Sequence, residues 1–480
     1  MYQNFGQFID GKWTPSSDGG VYEVVNPSNE EILGNASKAT NKDVEQALHS
    51  AKKGLEIWKK TPAWERSAKI RKIADLIRDR KDIIANWIAL EVGKPFAQGQ
   101  GEAMGAADIF EWNAEETKRI YGQIVESRFV DTRVQIKYEP VGVVAALTPW
   151  NFPTILAARK ISTALAAGCS VICKPDMVTP GSVMQLVDIA REAGIPAGVV
   201  NLLSGDPASI SSQLLSSDIV KKISITGSTR VGKIILKQAA EKVQRVTMEL
   251  SGHAPFIVHD DANIQKATDM AIMAKYRNTG QVCISPSRFF IHESKKEEFT
   301  KLFVEKTLKL KIGSGLDKNT DLGPITTQKR LNEIEELVEH TKKEGAKVLC
   351  GGKRPAEFNK GYFYEATVFD NVKDDFKIMT TEPFGPLSPI LSFKDFDEVI
   401  ERANNHDAGL AAYVATSSME KAHKTSDALE TGMVAINTPF VAFAETPFGG
   451  IKQSGYGREG GSEAIKDYLN IKYTHLGISG

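Results

Sequence analysis

The 480-residue sequence predicts an α/β protein built on two open parallel-sheet units. Two observations carry that expectation. From Val141 onward, short runs rich in Val and Ile alternate with helix-period stretches, the pattern of strand and crossover helix in a parallel sheet. A second series of the same kind begins after Glu249.

Residues 1–120 open with short segments punctuated by Gly, Asn and Pro, then show helical periodicity over 41–58, 62–90 and 98–118. In the first α/β series, strands are expected at 141–147, 170–173, 199–203 and 220–226, with helices over 152–167, 181–193, 207–215 and 229–242. In the second, strands fall near 255–259, 287–292, 387–393, 410–415 and 433–436, separated by amphipathic helices such as 295–310 and 327–344. Residues 122–138 and 468–473 alternate polar and apolar side chains. They are either strands paired outside both units or two unrelated edge strands.

The length suits about three domains, or two large ones with an arm. With 41% hydrophobic and 25% charged residues, the chain can bury a sizeable core under an ordinary surface, which excludes wholesale disorder. Lys+Arg and Asp+Glu each total 60, so no global field exists to hold nucleic acid. The longest apolar stretches, such as Val141 to Leu147 and Leu165 to Cys173, fall short of the ~20 residues that cross a bilayer. The start, Met1 to Gln7, lacks the basic and apolar parts of a signal peptide, so a cytoplasmic enzyme is expected. Cys169, Cys173, Cys283 and Cys350 include no C-x-x-C pair, and the histidines include no H-E-x-x-H, so no metal is expected.

Four segments can carry chemistry. In Asn278-Thr279-Gly280-Gln281-Val282-Cys283 a thiol follows a glycine turn, a setting for a nucleophile, although most cysteines are simply buried hydrophobes. Glu249 ends an apolar strand just before a turn, where a raised pKa suits a general base; the plainer reading is a solvated strand-end carboxylate. Asn151, in Pro149-Trp150-Asn151-Phe152-Pro153, stands near a helix start as an oxyanion donor or a cap. Thr226-Gly227-Ser228-Thr229 joins a strand to a helix whose first N–H groups face an anion, a weak pyrophosphate signal by itself. Lys174 adds a cation at a neighbouring strand end, where lysines usually face solvent.

Taken in order and spacing, these segments resemble the NAD(P)-dependent aldehyde dehydrogenase superfamily over essentially the whole chain. The resemblance rests on P-W-N-F-P at 149–153, an E-L-G-G-type motif at 249–252, G-Q-x-C at 280–283, Glu382-Pro383-Phe384-Gly385-Pro386, and the segment from Pro447 to Glu459. It implies an aldehyde dehydrogenase-like fold: a Rossmann-like dinucleotide-binding domain (1–120 and 139–249), a catalytic domain (250–446), and an oligomerisation arm of β-strands (121–138 and 465–480) that makes a homodimer or homotetramer. It further implies Cys283 as nucleophile, Glu249 as general base, and Asn151 with the Cys283 backbone N–H as oxyanion hole. Trp150, Lys174, Gly227, Ser228, Glu382 and Phe384 would hold the cofactor, and Glu459 would be a buried proton-relay carboxylate.

Within the superfamily the chain is most similar to the succinic semialdehyde dehydrogenase group, through Arg159 and Arg277, which match positions that clamp a substrate carboxylate. A structural ion pair is the alternative for Arg159. The group's usual Ser between Asn437 and Pro447 gives way to Ala442 and Phe443, which keeps other short aldehydes open: glutaric or 2-oxoglutaric semialdehyde, lactaldehyde, or a sulfonated aldehyde. Met177 replaces a Glu common in NAD-preferring members, so either NAD or NADP is expected. Ser285 replaces a second Cys, His253 the commoner Lys and Ser251 the first Gly of the E-L-G-G motif. Three rival classes remain: a CoA-acylating dehydrogenase, which would not need Glu249 to activate water; a cofactor-free cysteine hydrolase, which would not need the dinucleotide-site residues; and an idle binding scaffold, which would have lost some of Cys283, Glu249 and Asn151.

Overall fold

The computed structural model describes residues 6–477. Residues 1–5 of the segment read against a leader, and 478–480 of the C-terminal arm segment, lie outside them.

The first sheet has a parallel core in the order Val200–Leu202, Ser170–Lys174, Val143–Leu147, Val220–Thr226, Arg245–Glu249. Its edges are antiparallel: the hairpin Gln7–Ile9 and Lys12–Thr14 on one side, Gly455–Tyr456 on the other. The core strands read as unbroken Val/Ile/Ala runs because helices cover both faces; Val144, Ile172 and Ile223 are fully buried, each contributing about 1.5–3 kcal/mol. The helices Pro153–Ala167, Pro180–Glu192 and Pro207–Ser216 each start with proline, whose missing N–H costs nothing in a first turn. Gly168, at φ 87°, ends the first of them in the left-handed conformation that glycine adopts freely.

The expected helix over 62–90 is two helices, Ala63–Asp79 and Lys81–Glu91, broken at Arg80 (φ −107°, ψ 14°). No glycine or proline marks the break, and the buried series Ile73, Ala74, Ile77, Ile84, Ile88 runs through it. Arg80 is held there by its amide bonding back to Leu76 and Ile77 and by an ion pair with Glu192.

The second sheet runs Lys347–Cys350, Thr367–Asp370, Leu387–Phe393, Pro286–His292, Ala254–Val258, Ala411–Ala415, Met433–Ile436, parallel except at the Lys347–Cys350 edge. Phe256, Phe289, Phe299 and Phe303 interlock beneath it. The two alternating segments do pair: Leu469–Gly477 lies antiparallel to Thr132–Pro140, which pairs with Gln123–Val125. No helix among the described residues is long and apolar enough to cross a membrane.

Two connections create the site. Leu250–His253 leads straight from the last parallel strand of the first sheet into the second. The chain then returns from the second sheet, and Gly455 and Tyr456 pair with Glu249 and Met248.

Candidate active site

The helix Ile264–Tyr276 stops at Arg277, and Asn278, Thr279 and Gly280 follow with φ of 48°, 55° and 75°. Left-handed non-glycine residues cost about 1–3 kcal/mol each and persist only where surroundings fix them. Here the Asn278 amide donates to Gln98 Oε1 (2.8 Å), Thr279 Oγ1 donates to the Gly323 carbonyl (2.9 Å), and Gln281 Oε1 accepts the Thr326 N–H (2.9 Å). A Cβ on Gly280 would sit 2.3 Å from the Gly385 oxygen, and one on Gly252 would sit 2.1 Å from the Cys283 oxygen. Only glycine lets these loops close. Cys283 is thus presented on a fixed loop, half-buried at a cavity of about 460 Å³ that Asn151, Glu382 and Phe384 also line. Burial, reinforced by the charges of Glu382 and Glu249 and opposed by Arg277, pushes its thiol up to about 12.

Glu249 is 1% exposed, and neither carboxylate oxygen has a hydrogen-bond partner among the described residues. Burial, then the charge of Glu459, raises it well above 4.5, against the pull of Lys160, Arg159 and Arg458. Glu459, also buried, pairs with Lys160 and accepts from Ser224 Oγ at 3.0 Å; Lys160 donates on to Thr226 Oγ1 at 2.7 Å. Sequence reading missed Lys160, although it directly follows Arg159 on the same helix. The plainer solvated reading of Glu249 fails because the returning 447–459 segment covers it: a Cβ on Gly449 would lie 2.7 Å from Glu249 Oε1.

Asn151 is buried, with Nδ2 donating to the Gln281 carbonyl at 3.0 Å. The two arginines part company. Arg159 is 4% exposed and donates to the carbonyls of Glu459 (3.1 Å) and Phe443 (3.4 Å), its guanidinium 4.8 Å from the Phe448 ring centre. No acid pairs with it among the described residues, so its structural partners are carbonyls. Arg277 makes no hydrogen bond or ion pair among the described residues; its guanidinium stands 5.2 Å from the Phe152 ring centre.

A second cavity, of about 660 Å³, shares Trp150, Gly227 and Ser228 with the first and adds Lys174. Gly227 faces open space, and Ser228 caps the helix Thr229–Ala240 by accepting the Val231 N–H (3.3 Å), so the helix start opens on the slot. Ser251 accepts the Thr229 N–H (3.3 Å), a contact that the usual glycine could not make. Lys174 is buried rather than solvated; burial lowers its pKa while Asp176 and Asp206 support the charge. Glu382 accepts the Gly252 N–H (3.3 Å), and burial raises it to about 7. Phe384, at φ 42°, meets Trp150 edge to face at 5.5 Å. Arg330, also missed from sequence, donates to the Pro383 carbonyl and so braces this strained loop. His253 is buried between Ser287 Oγ (2.6 Å) and the Met379 carbonyl (3.0 Å). Among the described residues no group of three or more His, Cys, Asp or Glu is placed to hold a metal.

The family model described as the aldehyde dehydrogenase family matches residues 13–474. The chain is 40% identical over 471 residues to a glutarate-semialdehyde dehydrogenase of Pseudomonas putida, covering 98% of this chain and 97% of that one. It is 39% identical over 470 residues to the NADP(+) succinate-semialdehyde dehydrogenase of Escherichia coli, with 98% and 97% covered. An NAD+ complex of an aldehyde dehydrogenase from Bacillus cereus superposes with a TM-score of 0.97 at 36% identity, covering 99% of this chain and 97% of that one. The chain belongs to the aldehyde dehydrogenase family.

Proposed function

We propose that the protein oxidises a short aldehyde with an anionic tail, a semialdehyde such as succinic or glutaric, to the carboxylic acid with NAD or NADP. One observation carries the substrate class: Arg277, whose charge acts on Cys283, has no hydrogen-bond or ion-pair partner among the described residues and stands against the Phe152 ring. The relatives named for glutarate and succinate semialdehydes agree with it.

Cys283, as thiolate, adds to the aldehyde carbon, and the empty acceptor sites of Glu249 supply a destination for the thiol proton. Asn151 Nδ2 and the Cys283 backbone N–H hold the oxyanion. A bound nicotinamide, held by Trp150, Glu382 and Phe384, would supply the hydride acceptor that the change from thiohemiacetal to thioester on Cys283 requires. Once Glu249 has passed the thiol proton on, it takes a proton from water, the hydroxyl adds to the thioester, and the acid departs as Glu249 returns the water proton to the Cys283 sulfur. Glu459 and Lys160 offer the thiol-derived proton its onward route. An unpartnered, proton-avid Glu249 favours hydrolysis over transfer to CoA.

Trp150, Gly227 and Ser228 line both cavities, which suits a dinucleotide, with Lys174 at the adenosine end and Glu382 and Phe384 at the nicotinamide end. Met177 brings no carboxylate against a 2'-phosphate, so both dinucleotides are accepted. Homo-oligomerisation through the three-stranded arm follows from its exposed apolar side chains, Ile124 at 75%, Ile471 at 70% and Tyr473 at 70%. Four free cysteines suit a reducing cytoplasm.

The test is formation of reduced nicotinamide from succinic semialdehyde, glutaric semialdehyde and butanal with each dinucleotide. The reading expects the semialdehydes to exceed butanal in kcat/KM by about 100-fold, as one charge-assisted clamp supplies. Equal use of butanal would sink the anionic-tail assignment.

A further inference from the structure

We propose that Lys94 and Glu102, a buried ion pair away from the reacting atoms, are positioning residues that aim the Asn151 amide at the substrate carbonyl. The inference rests on the reading of Asn151 as oxyanion donor. Both side chains are fully withdrawn from solvent and paired. Lys94 Nζ also donates to the backbone oxygen of Asn151 at 3.0 Å and stands 3.4 Å from the centre of the Phe152 ring. The Asn278 side chain donates to the same Asn151 oxygen at 3.0 Å.

Glu102 continues the grip along the chain. Its Oε1 accepts the N–H groups of Thr154 (2.9 Å) and Ile155 (3.3 Å), first-turn donors of the helix Pro153–Ala167. That helix has no side-chain cap of its own, since Phe152 occupies the cap position. From 151 to 155 the backbone is therefore held by the Lys94 ammonium from the loop before the helix Phe96–Thr117, by the Glu102 carboxylate on that helix, and by the Asn278 side chain. Only the side-chain torsions of Asn151 stay free, and its bond to the Gln281 carbonyl restrains those.

A buried ion pair is weak evidence for stability, because apolar residues of the same size often pack as well or better. Its value here is geometric. Oxyanion donors act through placement, and a displacement of about 1 Å at such a group can cost roughly 100-fold in rate. The same helix carries Arg159 and Lys160, so its start sets the frame for the relay as well.

The test is a double-mutant cycle in the full-length protein with Lys94→Met, Asn151→Ala and the combination, reading kcat, dinucleotide Kd and melting temperature. Lys94→Met is expected to lower kcat by about 10- to 100-fold while dinucleotide Kd stays within about twofold. In the Asn151→Ala background the same change should cost less than about threefold, because the amide it aims is gone. Losses that multiply in the double variant, or a Kd that rises in step with lost kcat, would overturn the proposal. If Lys94→Met does not fold, Glu102→Gln, which keeps an acceptor for Thr154 and Ile155, must show the same cancellation at smaller amplitude; its absence overturns the proposal equally. Full activity in Asn151→Ala alone would instead strike down the oxyanion assignment, and this inference with it.

Discussion

The charge of Glu459 raises the proton affinity of Glu249, yet the two buried carboxylates are treated oppositely: Glu459 is paired with Lys160, whereas Glu249 has no hydrogen-bond partner among the described residues. One has a cation set against it; the other has none and, being buried beside Glu459, holds a proton more readily than an ordinary carboxylate. That asymmetry sets a proton acceptor beside a proton route.

It also predicts a stability signature. Because the folded-state pKa of Glu249 lies above its ordinary 4.5, the folded protein keeps a proton that the unfolded chain has lost. Its contribution is present below 4.5 and lost as pH rises through the raised value. Glu249→Gln should therefore melt higher than the parent at pH 8, with the gap closing towards pH 5. Parallel melting curves across that range would contradict the assignment.

The Cys283 thiol, pushed up to about 12, should alkylate slowly. With iodoacetamide, its rate in the free protein is expected to keep rising beyond the ordinary thiol value of 9.0. Peptide mapping separates it from buried Cys169 and Cys173. A plateau at or below pH 9 would show an activated thiolate at rest instead.

Arg277→Ala should raise KM for succinic semialdehyde by about 10- to 100-fold, the worth of a charge-assisted contact, and leave butanal unchanged. Arg159→Ala should act on stability as well, because it frees the carbonyls of Glu459 and Phe443 at a cost of about 3 kcal/mol, visible in thermal unfolding. Identical effects of the two changes on both properties would erase the distinction.

A carboxylate at position 177 would repel a 2'-phosphate in the proposed dinucleotide slot. Met177→Glu should lower kcat/KM for NADP by about tenfold or more through repulsion of the 2'-phosphate, and for NAD by less than about twofold. Equal losses with both dinucleotides would place residue 177 away from the phosphate.

Much of this site was legible in the chain because motif order fixes it, and the strands were legible because burial on two faces forces unbroken Val/Ile runs: Val220–Thr226 matches its expected bounds. The break at Arg80 was not, since the apolar period continues across it. Gly455–Tyr456 is too short to show alternation, so nothing signalled that the C-terminal chain returns to cover Glu249. Lys94, Glu102 and Lys160 stayed hidden because charged residues default to solvent, and only three-dimensional packing reveals a buried pair. The division between Arg159 and Arg277 likewise depends on carbonyls hundreds of residues away.

The central claim is that Cys283 carries the acyl group and Glu249 releases it. The most direct measurement mixes the Glu249→Gln variant with dinucleotide and succinic semialdehyde in a single turnover, followed by intact mass and peptide mapping. The account predicts a burst of about one reduced nicotinamide per subunit, a stable succinyl adduct on Cys283, and steady-state turnover lowered by about 100-fold or more. Undiminished turnover, or an adduct on any other residue, would contradict it.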